Sequence, residues 1–328
     1  MLEPRKLLAV LPAGFREDLV ATGLSYPTAM TIAPDGRIFV AEKGGAVRII
    51  KDGTLLQKSF AFVDAETSYE YGLCGIALDP EFTANGYVYV NYIAKGTPSR
   101  NLIERFTAGG DVAVKDSRTA IFELDNVNPP GPTGNYHIGG AMQFGIDGKL
   151  YISTGENTTP TNSQSLGNLH GKILRIGKDG SIPPDNPFYA TASGNNRAIW
   201  TYGLRNPFTF AVQPGTGRIL INDVGQNSYE EINLGRPGAN YGWPLSEGPT
   251  SDARFDAPLY AYGHLATEKG AACIAGSTFY DPAVVAMPAS YVGRYFFADF
   301  NNAWMSMLDP STGTSMMFAT QLNSMPVS

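Results

Sequence analysis

One unit recurs along the chain: a short apolar strand, a turn carrying Asp, Asn, Pro or Gly, then a second apolar strand. It reads AMTIAPDGRIFVAE from Ala29, GIALDPEFTANGYVYVNY from Gly75 and AMQFGIDGKLYISTG from Ala141. Looser copies are TFAVQPGTGRILINDVG from Thr209 and GSTFYDPAVVAMPASYVGRYFFADF from Gly276. Each copy reads as a hairpin, because Asp-Gly and Asn-Gly steps supply the positive φ that tight two-strand turns require. A third strand follows some of them, as in AVRIIKDG and GKILRIGKDG. Units spaced roughly 45 to 70 residues apart fit the blades of an all-β propeller, each a four-stranded antiparallel sheet.

Five units are visible, and the stretch from Asn240 to Tyr262 has room for part of another. Six blades are therefore expected, with five and seven as alternatives. A strand around Phe15 to Val20 is expected to close the ring against the last blade. Helical periodicity is nowhere sustained and no composition shift marks a boundary, so residues 1–328 read as a single propeller domain.

Composition narrows the function classes. The formal net charge of −6 and the lack of a basic cluster speak against nucleic acid, whose binding depends on Lys and Arg neutralising phosphates. No run of about 18 apolar residues occurs, so no membrane span is expected. The opening MLEPRKLLAVLPAGF is broken by Pro12 and does not read as a secretory signal. Cys74 and Cys273 suit no zinc motif and read as two thiols or one pair.

Propellers place ligands at one mouth of the channel, on loops that precede inner strands. His137 in NYHIGGAMQF stands directly before such a strand and reads as a general base or as a loop histidine. Arg205 and Asn206 in YGLRNPF hold the same position, where a permanent guanidinium grips an anionic oxygen or pairs with a neighbouring blade. The segment from Asn222 to Pro244 joins Asp223, Glu230 and Glu231 to glycine-flanked carbonyls, a hard-oxygen set that suits Ca²⁺ or simply makes a polar loop. His170 reads as structural and His264 as a loop residue. No G-x-S-x-G elbow, P-loop or dinucleotide fingerprint stands in a suitable context.

The ordered set HIGGAMQFGIDGKLYISTGE, LHGKILRI, GLRNPF and EEINLGRPGANYGWP resembles the glucose and sorbosone dehydrogenase family, and the likeness covers nearly the whole chain. The resemblance implies a six-bladed propeller that oxidises an aldose at its anomeric carbon to the lactone, with pyrroloquinoline quinone (PQQ) across the channel mouth and Ca²⁺ beside it. It implies that His137 takes the proton from the anomeric hydroxyl and that Arg205 lies against the quinone oxygens, followed by Asn206. Glu70 falls at a cofactor position, Gly225 and Gln226 at carbonyl ligands of Ca²⁺, and Glu231 with the Tyr241 carbonyl at a second Ca²⁺ site.

The sequence also departs from that pattern. Asp281 takes the place of a basic residue expected to meet the cofactor carboxylates, and Asn301 and Asn302 occupy a turn that is normally basic or Cys-containing. Tyr136 precedes the histidine where the glucose-oxidising members have an aspartate, and Ala141 follows the glycine pair where an arginine is common. With Asn301 where a cysteine partner would stand, Cys273 is expected to lack that bridge. These departures keep two alternatives open: a cofactor-less propeller that binds carbohydrate or protein, and a Ca²⁺-dependent lactonase built on the Asp223 region. The implied partners are an aldose and an external electron acceptor. The chain is expected to act as a monomer or as a domain of a larger protein, in the periplasm or secreted.

Overall fold

The computed structural model describes residues 9–129, 136–264 and 271–322. Among these residues twenty-two strands form five antiparallel sheets. Blade one holds β1 (Pro27–Ile32), β2 (Ile38–Glu42), β3 (Ala46–Lys51) and β4 (Thr54–Leu55), with β5 (Ala61–Phe62) also on β3. Blade two holds β6 (Leu73–Leu78), β7 (Tyr87–Ala94), β8 (Arg100–Gly109), the short β9 (Val112–Ala113) and β10 (Thr119–Asn126). Blade three runs β11 (Met142–Phe144), β12 (Leu150–Thr154), β13 (Lys172–Ile176) and β14 (Ile199–Tyr202). Blade four runs β15 (Pro207–Val212), β16 (Ile219–Asp223), β17 (Tyr229–Gly235) and β18 (Tyr260–Gly263). Blade five runs β19 (Ile274–Tyr280), β20 (Arg294–Asp299), β21 (Trp304–Asp309) and β22 (Thr314–Ala319).

The propeller of four-stranded antiparallel blades is thus as expected, but the count of six is corrected to five among the described residues. The stretch from Asn240 to Tyr262 starts no new blade: its end enters β18, which pairs with β17 as the outer strand of blade four. The five hairpins visible in the sequence are the five blades.

Period-two alternation explains how the blades stack. Successive residues of a strand face opposite sides of its sheet, so a strand buried on both faces feeds two cores at once. On β7, Val88 and Val90 join Phe39, Val47 and Ile49 of blade one, whereas Tyr89 faces Leu150 and Ile152 of blade three. Tyr151 then packs towards Phe210 and Ile221 of blade four, and Leu220 towards Tyr295 and Phe297 of blade five. These four interblade cores link five sheets in a row. Among the described residues no apolar core joins blade five to blade one, and on β1 Met30 and Ile32 are 54% and 62% exposed. Val10 pairs with Thr320 at the end of blade five, and the Phe15 ring packs edge-on against Tyr291 and Phe318. Residues 15–20, expected as a closing strand, run without strand pairing.

The first strands of the blades lie side by side. Their starts are tied at one rim: Thr28 Oγ1 donates to the Leu73 carbonyl (2.6 Å), the Gly139 amide to Asn206 Oδ1 (3.0 Å) and Asn222 Nδ2 to the Gly276 carbonyl (2.9 Å). Glu70, His137, Arg205 and Cys273 all precede such starts and so meet at this rim. Asp281 does not. It follows the far end of β19 and accepts from Gln213 Nε2 (3.0 Å) just beyond the end of β15, so its assignment to the cofactor end is corrected.

Candidate functional site

His137 is held from both sides. Its amide donates to Glu70 Oε2 at 2.8 Å, and its Nδ1 is hydrogen-bonded to Glu156 Oε1. The backbone there has φ of +58°, a left-handed conformation that a non-glycine residue adopts at a cost. Gly155 makes room for it: a Cβ at that position would stand 2.1 Å from the His137 carbonyl oxygen. With Nδ1 committed to a carboxylate, neutral His137 carries its proton on that nitrogen and keeps the Nε2 lone pair free to accept one.

Glu156 also connects the histidine to the arginine. Its amide donates to the Arg205 carbonyl (2.8 Å), while its side chain is 1% exposed and its Oε2 has no hydrogen-bond partner. Sequence reasoning missed this residue; it stands two residues past the end of β12, where the Asn157 amide donates to the His137 carbonyl (2.9 Å) and brings the two loops together.

Arg205 and Asn206 rest on Asp223, whose two carboxylate oxygens accept their amides at 2.9 and 2.7 Å. The guanidinium reaches the carbonyls of Val224 and Gly225 through Nη1 (2.9 and 2.8 Å) and lies 5.5 Å from the Trp243 ring centre. Its Nε and the indole Nε1 of Trp243 are both buried without a partner. Burial pushes Asp223 up to about 6, against the two amides that favour its charged form.

The residues expected to hold Ca²⁺ are arranged differently from one another. Gly225 and Gln226 sit in a loop wrapped around Glu247, whose Oε1 accepts the amides of Gln226, Asn227 and Ser228 at 2.7 to 3.0 Å. Burial alone would raise the Glu247 carboxyl, yet these amides hold it below its ordinary range. No local pattern marks Glu247, because the loop it organises lies about twenty residues upstream. Glu231 is buried, accepts from the Gly248 amide and from Asn233 Nδ2, and is pushed by burial up to about 8. The Tyr241 ring packs in the core between blades three and four, with its hydroxyl on the Leu234 carbonyl (2.7 Å). Among the described residues no three His, Cys, Asp or Glu side chains are grouped to hold a metal ion.

The remaining sequence candidates take structural places. His264 Nε2 meets Glu230 Oε1 at 2.7 Å, and burial lifts Glu230 to about 8. His170 caps blade two through the Asn126 carbonyl (3.2 Å). Asn302 Nδ2 bridges the Ala271 carbonyl and Asp299. Both cysteines are free. Burial also pushes the Glu70 carboxyl upward, opposed by His137, Arg205 and the amides it accepts.

The residues at the rim fit an oxygen-rich, planar electron acceptor. Arg205 Nε and Trp243 Nε1 are neighbouring buried donors lacking acceptors, and His137, whose loop Glu156 ties to the Arg205 carbonyl, keeps Nε2 free. The Gly225 carbonyl, which accepts from Arg205 Nη1, has a second lone pair and is a hard oxygen of the kind Ca²⁺ binds.

Comparison with known proteins places the chain by sequence and by fold. Aldose sugar dehydrogenase YliI of Escherichia coli is 32% identical over 240 residues, covering 72% of this chain and 63% of that protein. The chain therefore spans about three fifths of that relative's length. The crystal structure of a putative oxidoreductase (glucose dehydrogenase) from a Thermus species superposes with a TM-score of 0.77 at 29% identity, over 94% of this chain and 86% of that one. The PQQ-bound aldose sugar dehydrogenase of Streptomyces coelicolor gives 0.74 at 25% identity, over 96% and 86%. The profile described as Glucose / Sorbosone dehydrogenase matches residues 24–298, a span that runs from the strand of blade one to the β20 strand of blade five and takes in every rim residue above. With profile and fold in agreement, the chain belongs to the glucose/sorbosone dehydrogenase family.

Proposed function

We propose that this chain oxidises an aldose at its anomeric carbon to the lactone, using PQQ and Ca²⁺. The observation that carries the reading is the His137–Glu156 pair, tied through the Glu156 amide to an arginine whose Nε awaits an acceptor. When bound, the quinone supplies the acceptor for the hydride that leaves the sugar's anomeric carbon. His137 Nε2 removes the proton from the anomeric hydroxyl, and Glu156 holds the ring in the required tautomer and balances the imidazolium that forms. Arg205 offers its unpartnered Nε to the oxygen on which negative charge collects, and Asp223 keeps the Arg205–Asn206 backbone in place without taking up the guanidinium. Asn206 Oδ1 anchors the Gly139 amide and so ties the loop before blade three to the start of blade four.

Glu70 contacts the cofactor through its half-buried carboxyl, the Gly225 and Gln226 carbonyls hold the first Ca²⁺, and Glu231 with the Tyr241 carbonyl holds a second. The chain works as a single propeller domain, as a monomer or within a larger protein, passing electrons to an external acceptor in the periplasm or outside the cell. No helix among the described residues is long and apolar enough to cross a membrane. The test is to titrate the purified protein with PQQ in the presence of Ca²⁺, follow its visible absorbance, and then add a panel of aldoses. Saturable binding followed by sugar-dependent reduction is expected, and H137A should keep the binding and lose the reduction. No saturation at high cofactor concentration, or full sugar oxidation by H137A, would overturn the assignment.

A further inference from the structure

Two tyrosines at the rim serve no core. Tyr69 precedes Glu70 and Tyr136 precedes His137, and their rings meet at a centroid distance of 5.1 Å, inclined by 53°. They stand on the two loops joined by the 2.8 Å bond from the His137 amide to Glu70. Tyr69 is 51% exposed, a large apolar surface left in solvent. Its backbone is left-handed with φ of +52°, like that of His137, and Lys43 Nζ is bonded to its carbonyl. Two residues held in costly backbone conformations thus bring two rings together beside the proposed base.

We propose that Tyr69 and Tyr136 form a stacking wall for the pyranose ring of a sugar. A pyranose presents one face of C–H groups and an edge of hydroxyls, so its apolar face suits an aromatic surface while polar side chains read the edge. A ring resting on this wall is carried against His137, with Glu70 and Glu156 close behind it. The inference rests on the reading that the site takes a sugar, and it concerns binding alone.

The experiment measures binding of methyl glucoside and methyl galactoside to cofactor-free protein by calorimetry and saturation-transfer NMR. Neither glycoside has a free anomeric hydroxyl, so neither can be oxidised. Both Y69A and Y136A should weaken binding of the preferred glycoside about five- to tenfold, the range expected for losing one aromatic contact. Y69F and Y136F should bind like the wild type, because stacking uses the ring and not the hydroxyl. Y69L keeps bulk without the π face and should behave like Y69A, which covers the case of an alanine variant that does not fold. If the wild type binds neither glycoside at high millimolar concentration, or Y69A and Y136A bind as well as it does, the wall is refuted. Sugar oxidation by the wild type with an unchanged KM in Y69A and Y136A would refute the wall and leave the proposed activity standing. Glycoside binding lost in the alanine variants, with no aldose oxidation under PQQ and Ca²⁺, would support the wall and refute the activity.

Discussion

Replacing Glu156 by Gln tests the rim most directly. In the structure the carboxylate is 1% exposed, one oxygen holds His137 Nδ1 and the other has no partner. An imidazolium forming about 4 Å from that charge is favoured by about 4 kcal/mol at an effective dielectric constant near 20. Because the attraction grows only as the proton is transferred, its loss falls on the transition state and not on substrate binding. E156Q should therefore lower kcat by roughly 10²- to 10³-fold and leave KM within a few-fold. Stability should move the other way or not at all, since a neutral amide no longer has to bury an unpaired anionic oxygen. The assay is steady-state aldose oxidation with saturating PQQ and Ca²⁺, beside urea unfolding and ¹⁵N NMR of the imidazole. A kcat within threefold of wild type, with the His137 ring proton still on Nδ1, would refute the positioning role. A large loss of stability alongside the loss of rate would mean that Glu156 acts through the fold.

Three further outcomes are expected. Lys172 is buried with Nζ on the carbonyls of Asn162, Ser163 and His170, and burial lowers its pKa to about 7 against the pull of Asp125. Between about pH 7 and 10.5 the unfolded chain binds a proton there that the folded chain has lost, so stability rises with pH over that window, by up to about 5 kcal/mol. Denaturant titrations should show that rise in wild type and not in K172M, and equal slopes would mean that the three carbonyls keep the ammonium charged. G155A places a methyl 2.1 Å from the His137 carbonyl and should cost about 1–3 kcal/mol while displacing the base, read as a lower melting temperature together with a lower kcat. E247A removes the shared acceptor of the Gln226, Asn227 and Ser228 amides, and hydrogen exchange should speed up at those residues with the blade strands unaffected; unchanged exchange would deny Glu247 its organising role.

The hairpins were legible because their signals are local. Apolar alternation and an Asp-Gly turn lie within a dozen residues, and each visible unit begins within two or three residues of an inner strand. The same locality placed His137, Arg205 and Asn206 at strand starts, which is why they converge on one rim. The sequence alone therefore determined the blade type, the strand order within each hairpin and the loops that bear the chemistry.

What it left undecided depends on pairing between distant segments. The four-residue β18 carries too little periodicity to announce which sheet it joins, and only its register with β17 makes it the edge of blade four and not the start of a sixth blade. Asp281 is close in sequence to rim residues such as Cys273, yet a seven-residue strand carries it to the opposite end of the channel. Glu156 and Glu247 are polar loop residues until the fold sets one against an imidazole 19 positions away and the other against amides about 20 positions away. Hydrogen bonds of that span reward only a chain already folded, so their partners were settled by the packing of whole blades and by no neighbouring residue.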